Sequence, residues 1–198
     1  MCHPYFLFCF ISLSFTLANC DTKDLLAHGA AVGDQVQPQL DDDLKIDAND
    51  SKRGIFRRFS VDDDGFMGMI LDEGGPGNFW EIYIDVFEGH TVNENGTVSA
   101  RIVTDEKTRR NIYEIVGESF CETEMMFMAT WVDMIRCSCP DNDNPNSFQG
   151  VIVQTKDAFY FILIYGQLGH GCEMDYGRVA LYPSGQIGNT VFMVGNYG

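Results

Sequence analysis

Gly150-Val151-Ile152-Val153-Gln154-Thr155, then Lys156-Asp157, then Ala158-Phe159-Tyr160-Phe161-Ile162-Leu163-Ile164-Tyr165, is the stretch that decides the fold. Both arms are rich in β-branched and aromatic side chains, which pack well on a pleated surface and predict strands. The polar pair between them predicts a tight hairpin turn, although it lacks the glycine that such turns favour. Working outward, short apolar runs separated by Gly, Asn, Asp and Pro begin at Ile55 and continue to the C-terminus. That is the pattern of a β-rich domain. In Phe79 to Phe87, Trp80, Ile82, Ile84 and Val86 share one face while Glu81 and Asp85 lie on the other, the alternation of a half-buried strand. Val98, Ala100 and Ile102 repeat it, and Met125–Met134, Arg178–Tyr182 and Thr190–Val194 add further strands. Met125, Met126 and Met128 read as core filling, the usual use of a flexible thioether.

One segment departs from this pattern. Between Asp105 and Gly117, Ile112, Ile115 and Val116 recur at helical spacing behind a Thr104/Asp105 cap, and Gly117 is placed to end the helix. The expected fold is therefore mainly β with a minor α part: an antiparallel β-sandwich-like domain with one helix near 105–117.

The chain's 198 residues suit one domain with a short appendage, and 45% apolar residues supply ample core. With 13 Lys+Arg against 29 Asp+Glu, the net charge of -16 repels phosphate backbones, so nucleic acid is not an expected partner. Tyr5 to Leu17 is an uncharged apolar run followed by Ala18, Asn19, Cys20 and the charged Asp21, which reads as a secretory signal peptide without a basic n-region. It is shorter than the roughly 20 residues that cross a bilayer. The next best apolar run, Ala158 to Tyr165, is strand-sized, so no transmembrane segment is expected. From Asp21 to about Arg53 the sequence is polar and acidic, includes Asp41-Asp42-Asp43 and lacks sustained periodicity, which predicts an extended or loosely docked leader. The expected organisation is a signal peptide over 1–20, an acidic polar leader over 21–53 and a β-rich domain over 54–198.

Secretion changes the reading of the cysteines. Once Cys2, Cys9 and Cys20 leave with the signal, Cys121, Cys137, Cys139 and Cys172 remain, an even set suited to disulfides. Pairing Cys137 with Cys139 would strain the ring, which favours two links that each join one of them to Cys121 or Cys172. Zinc is disfavoured, because Cys137-Ser138-Cys139 lacks the knuckle spacing and a second matching pair. Asn49-Asp50-Ser51 and Asn95-Gly96-Thr97 are N-glycosylation sequons, both in turn-like sequence, so Asn49 and Asn95 are the expected acceptors.

Catalytic patterns are sparse. His28, His90 and His170 have no recognisable catalytic setting, and Gly74-Gly75-Pro76-Gly77 contains a proline and no following lysine, so it reads as a surface turn rather than a phosphate cradle. Asp62-Asp63-Asp64-Gly65 and Asp141-Asn142-Asp143-Asn144 offer hard oxygen donors. This makes Asp62, Asp64, Asp141 and Asp143 calcium candidates, although neither run completes an EF-hand loop and a solvated turn is the simpler reading. No catalytic residue and no obligatory cofactor is expected.

Several blocks, taken in order, resemble the NIDO domain, the extracellular module of nidogen, alpha-tectorin and related matrix and membrane-mucin proteins. The strongest is Asn146-Ser147-Phe148-Gln149 leading through Thr155 into Phe159–Gly166, which is similar to the family's Asn-Thr-Phe-Gln strand and its hairpin partner ending in Tyr. Ala129-Thr130-Trp131 resembles its Thr-Trp strand end, and Asp85 with Asn95-Gly96-Thr97-Val98 resembles its Ala-Asp-x-Asp and Gly-Thr-Val strands. In the leader, Leu25-Leu26-Ala27-His28-Gly29, Gly33-Asp34-Gln35 and Asp41-Asp42-Asp43 look like the landmarks of the domain's start. The chain departs from the family at Lys156-Asp157, where an Asp-Gly turn is usual, at Asp64-Gly65, where the landmark is Asn-Gly, and at Cys137-Ser138-Cys139, which has no counterpart. The resemblance implies a secreted, non-catalytic module of cell-matrix adhesion whose partners are extracellular-matrix or cell-surface proteins. It transfers no ligand-contact residue. Relatives carry EGF-like, sushi or von Willebrand-type modules that these 198 residues lack, which fits either a minimal secreted protein or the first part of a longer one. Two alternatives stand beside it: a secreted hydrolase using an acidic pair with His90 or His170 assisting, and a calcium-dependent lectin-like recognition domain. Loops Gly74–Asn78 and Asp141–Ser147 are the expected partner surface.

Overall fold

A computed structural model of the chain describes residues 25–37, 44–47, 56–72, 79–86, 91–92, 96–116, 123–136, 145–155, 159–167, 180–183 and 190–196. Twelve strands and one α-helix lie among them: β1 (Gln35–Gln37), β2 (Leu44–Asp47), β3 (Phe56–Val61), β4 (Phe66–Asp72), β5 (Phe79–Asp85), β6 (Thr91–Val92), β7 (Thr97–Ile102), α1 (Glu106–Val116), β8 (Thr123–Arg136), β9 (Asn146–Thr155), β10 (Phe159–Tyr165), β11 (Ala180–Pro183) and β12 (Thr190–Asn196). They form two sheets. The larger has seven strands in the order β1-β7-β8-β9-β10-β12, with β6 paired to β8, and the smaller has five in the order β11-β5-β4-β3-β2.

All pairings are antiparallel except β10 with β12, which is parallel. A parallel neighbour cannot be reached through a tight turn. The chain accordingly leaves β10, contributes β11 to the smaller sheet and returns as β12. The expected sandwich is present, with this one parallel pair as the difference. The decisive hairpin is also present: β9 and β10 pair antiparallel from Gln154↔Phe159 to Phe148↔Tyr165. Its turn, Lys156-Asp157, lies outside the described residues.

Period-2 alternation explains how the larger sheet is buried on both faces. Val98, Ala100, Phe127, Ala129, Trp131, Phe148, Ile152, Phe161 and Leu163 point inward and meet Leu44, Ile46, Phe59, Val61, Met67, Met69, Ile84 and Val86 of the smaller sheet and its edge. Phe59 and Phe127 stack across this gap, with ring centroids 4.1 Å apart and planes 9° from parallel. The alternate residues Met126, Met128, Val151, Val153, Ile162 and Ile164 point outward, where Ile112 and Tyr113 of α1 and Leu25 and Leu26 of the leader cover them. Strands covered twice read as continuous apolar runs, which is why β9 and β10 dominate the sequence.

The leader is docked more closely than its composition suggests. Its polar, aperiodic sequence nevertheless supplies an edge strand to each sheet, β1 beside β7 and β2 beside β3, and buries Leu25, Leu26, Leu44 and Ile46. Three-to-four-residue strands are too short to show a period.

α1 starts where its cap predicts. The Thr108 N–H donates to Asp105 Oδ1 at 2.8 Å, satisfying one of the first-turn donors, and Ile112 is fully buried. Gly117 lies outside the described residues.

Gly150, on β9, faces Met67 and Val86 across the gap between the sheets. A Cβ there would lie 2.4 Å from Met67 Sδ and 3.0 Å from Val86 Cγ2, so any side chain at this position forces Met67 to move. Gly150→Ala is expected to cost about 1–3 kcal/mol as an overpacking change. In a Met67→Ala background the same substitution should cost clearly less, because the clashing thioether is gone and only the tighter Val86 contact remains. Urea midpoints of the four proteins in this double-mutant cycle check the non-additivity.

Candidate functional site

Ser99, Thr130 and Gln149 are in register on β7, β8 and β9, with Ser99 opposite Thr130 and Thr130 opposite Gln149. They form a polar row across the outer face of an otherwise apolar sheet, with exposures of 4%, 0% and 0%. Buried polar groups must find partners, and the leader supplies them. The Leu26 N–H donates to Gln149 Oε1 at 2.8 Å, while Gln149 Nε2 donates to Leu26 O at 3.0 Å and to Thr130 Oγ1 at 2.9 Å. The glutamine amide thus stands in for a neighbouring strand's peptide group. At the other end of the row, Ser99 Oγ donates to Asp34 Oδ2 at 3.0 Å, and the Gly29 N–H donates to the same oxygen at 2.6 Å.

Beside the row, Arg101 ties three elements together. Its Nη1 is ion-paired with Asp34 Oδ1, and its Nη2 donates to Ala27 O and Thr108 Oγ1, each at 3.2 Å. Asp105 Oδ2 lies 3.6 Å from the same nitrogen. Burial pushes the Asp105 carboxyl up, but hydrogen bonds from the Thr108 backbone and hydroxyl, together with the Arg101 charge, outweigh it and leave it below the ordinary carboxylate value. Leader, β7 and α1 therefore meet on one guanidinium. Among the described residues, Arg101 Nε is the one buried side-chain polar atom without a hydrogen-bond partner.

The end of the sandwich near β8 is built by the other motif residues. Trp131, fully buried, donates its indole N–H to Asp62 O at 2.7 Å, which joins the larger sheet to the β3–β4 turn of the smaller one. It also stacks on Phe148, with centroids 5.0 Å apart. β8 bulges between Trp131 and Met134, with Asp133 at φ 57, a left-handed conformation that Asp tolerates better than most residues. Ser147 Oγ accepts the Asp133 N–H at 3.0 Å, and Asn146 Nδ2 donates to Met134 O at 3.4 Å. Tyr165 donates its hydroxyl to Val86 O at 2.8 Å, a second bond between the sheets.

The Asn146-Ser147-Phe148-Gln149 block is thus a set of structural anchors. Asn146 and Ser147 are 2% and 0% exposed, which corrects their assignment to a partner-facing loop: they open β9 and stitch down the bulge. Asp62, one of the calcium candidates, accepts the Phe66 N–H at 2.8 Å through Oδ1, closing the turn that Gly65 completes at φ 93. Asp64 lies in the same turn. Among the described residues, no three His, Cys, Asp or Glu side chains are gathered where they could hold a metal ion. His28 Nδ1 lies 2.9 Å from Leu26 O, within the leader's own fold. Cys121, Cys137, Cys139, Cys172, Asn49, Asn95, Asp141, Asp143, His90, His170 and the loop 74–78 lie outside the described residues.

Asp34 and Arg101 escaped the sequence reading as a pair, since 67 positions separate them. The available signal was chemical: Gln149 and Arg101 interrupt strand runs at positions that alternation turns onto a covered face.

The geometry defines a β-sandwich module whose buried polar groups hold the two sheets, the helix and the leader together. The chain belongs to the nidogen-like domain family (NIDO), whose model matches residues 76–175, half of the chain, and the family is one of extracellular modules. No curated protein and no solved structure gives a significant match to the chain. No helix among the described residues is long and apolar enough to cross a membrane.

Gln149→Ala would leave the Leu26 amide and carbonyl and the Thr130 hydroxyl buried without this partner. A loss of about 1–3 kcal/mol per stranded group is expected. The Leu26 amide should also lose protection from hydrogen exchange by more than the global loss of stability explains. Equal loss of protection at every amide would contradict a local clamp.

Proposed function

We propose that the chain is a secreted, non-catalytic binding module that attaches to extracellular-matrix or cell-surface proteins. Family membership is the observation that carries this reading. A second point supports it: the conspicuous polar residues of the motif blocks, Thr130, Asn146, Ser147 and Gln149, are buried and engaged in hydrogen bonds within the fold. Recognition then falls to loops on a rigid frame, which is where binding residues concentrate in such folds. The remaining positions, 74–78 and 141–144, fall between strands in the sequence and are the proposed contact points. The acidic net charge of -16 suits a basic partner surface.

Binding of the purified secreted protein to laminin, collagens and intact cells at physiological salt, with and without EDTA, tests the reading. Saturable binding that falls on replacement of both loops, with the melting temperature unchanged, is expected. No saturable binding to any of these surfaces would sink the adhesion reading. A melting temperature lowered by EDTA would instead favour calcium bound to the folded state through Asp62, Asp64, Asp141 or Asp143.

Processing in the secretory pathway completes the proposal, with Cys121, Cys137, Cys139 and Cys172 paired in two disulfides and Asn49 and Asn95 glycosylated. The mature protein should show no free thiol under denaturing conditions and should lose mass on treatment with peptide-N-glycosidase. Reactive thiols at these four positions would contradict the pairing.

A further inference from the structure

The leader supplies an edge strand to each sheet, and the two edges differ in chemistry. β2, at the edge of the smaller sheet, carries Lys45 and Asp47 exposed, and Asp47 Oδ1 accepts a hydrogen bond from Arg58 Nε at 3.1 Å. Charges of this kind commonly keep a strand edge from pairing with another chain. β1, at an edge of the larger sheet, has no such protection. From Gly29 to Gln37 the single ionisable side chain is Asp34, which is 1% exposed and turned onto Arg101. Among the described residues, the exposed large apolar side chains are Val32 at 40% and Val36 at 37%, and both belong to this stretch. Ala30, Ala31, Gly33 and Gln35 beside them are exposed as well. An uncharged, partly apolar strip therefore runs along a strand edge of a chain whose net charge is -16.

The strip is also held in place. β1 pairs with β7 from Gln35↔Ala100 to Gln37↔Val98, and no described strand lies on its other side. Just before it, the Asp34 carboxylate takes the Gly29 N–H, the Ser99 hydroxyl and the Arg101 guanidinium, which fixes the turn leading into the strand. Val36 stands opposite Ser99, so it shares the outer face of the sheet with the polar row. The outward peptide groups of an edge strand are a template for another strand, and a template already fixed by its neighbour loses little freedom when one docks. What fits this edge is an extended segment, bonded through main-chain atoms and carrying an apolar side chain alongside Val36. Because the chain is acidic, a neutral or basic segment suits it better than an acidic one. Pro38, next in sequence, has no N–H to donate, so the added ladder ends with β1.

We propose that the free edge of β1 takes an extended, uncharged or basic segment of a partner protein as one more strand of the larger sheet. Val36 makes the central side-chain contact, Val32 and Ala31 extend the apolar strip, and the Asp34–Arg101 pair keeps the strand presented. This surface is additional to the loops named above. It does not depend on the matrix-binding reading, since it specifies the strand that docks and not the protein that supplies it.

The experiment titrates the full-length secreted protein into labelled, capped peptides in which valine alternates with threonine and lysine, and follows fluorescence anisotropy and amide hydrogen exchange. Saturable binding with slowed exchange at Gln35–Gln37 is expected. Val36→Lys, at an exposed position, should leave the melting temperature unchanged and weaken binding on the order of tenfold or more, as a charge on an edge does. Peptides N-methylated at alternate positions, which cannot form the ladder, should not bind. Absence of saturable binding would overturn the proposal, as would binding indifferent to Val36→Lys or to N-methylation. Wild-type dimers that grow with concentration and vanish in Val36→Lys would also overturn it, by assigning the edge to a second copy of the chain.

Discussion

The structure depends on covering both faces of the larger sheet. One face is closed by the smaller sheet in the ordinary way of sandwiches, with Phe59 on Phe127 and Gly150 admitting Met67. Among the described residues, the other face is covered by an eleven-residue helix and a short leader, and Ser99, Thr130, Gln149 and Arg101 interrupt its apolar surface. A polar row under a thin cover is tolerable only when each group is bonded. This requirement makes the leader part of the fold instead of a tether, because Leu26 and Asp34 are the partners the row needs.

Two long-range bonds show the same dependence between the sheets. The Trp131 indole reaches a carbonyl in the β3–β4 turn, and the Tyr165 hydroxyl reaches Val86 O at the end of β5. Aromatic side chains with one polar atom suit this task, since the ring fills the core while the N–H or O–H finds a fixed acceptor. The bulge at Val132–Asp133 is tied down in turn by Ser147, so the strand that carries Trp131 cannot slip in register without giving up that bond.

Much of the fold was legible because its strands are long or doubly buried. β5, β7, β8, β9 and β10 announce themselves by alternation or by unbroken β-branched and aromatic runs, and α1 by a 3.6 period behind its Asp105 cap. The edge strands β1 and β2 were not legible, since three or four residues cannot display a period and Gln35, Gln37, Lys45 and Asp47 look like solvent-facing sequence. The parallel placement of β12 was equally hidden, because pairing direction follows from the route of the chain through β11 and not from composition. The motif residues were visible as a resemblance, but their roles were not: nothing in Asn146-Ser147-Phe148-Gln149 distinguishes a binding loop from a row of anchors until Asp133, Met134, Trp131 and Leu26 are brought beside them.

The family match ends at residues 76–175, yet the physical unit does not. Inside that window lie β5 to β10 and α1, which make the greater part of the larger sheet. Strands β2, β3 and β4, which close its inner face, and the leader, which closes part of its outer face, precede the window. Residues within the window reach out to both: Trp131 to Asp62 O, Gln149 to the Leu26 backbone and Arg101 to Asp34. A fragment cut at the window's edges would take Asp62 O from the Trp131 indole N–H, the Leu26 peptide from Gln149 and both Asp34 and Ala27 O from Arg101, and would bare Phe127, Trp131 and Phe148 on one face. The window is where sequence pattern is concentrated, and the domain is where hydrogen bonds and apolar surface are satisfied, a span that begins no later than Leu25.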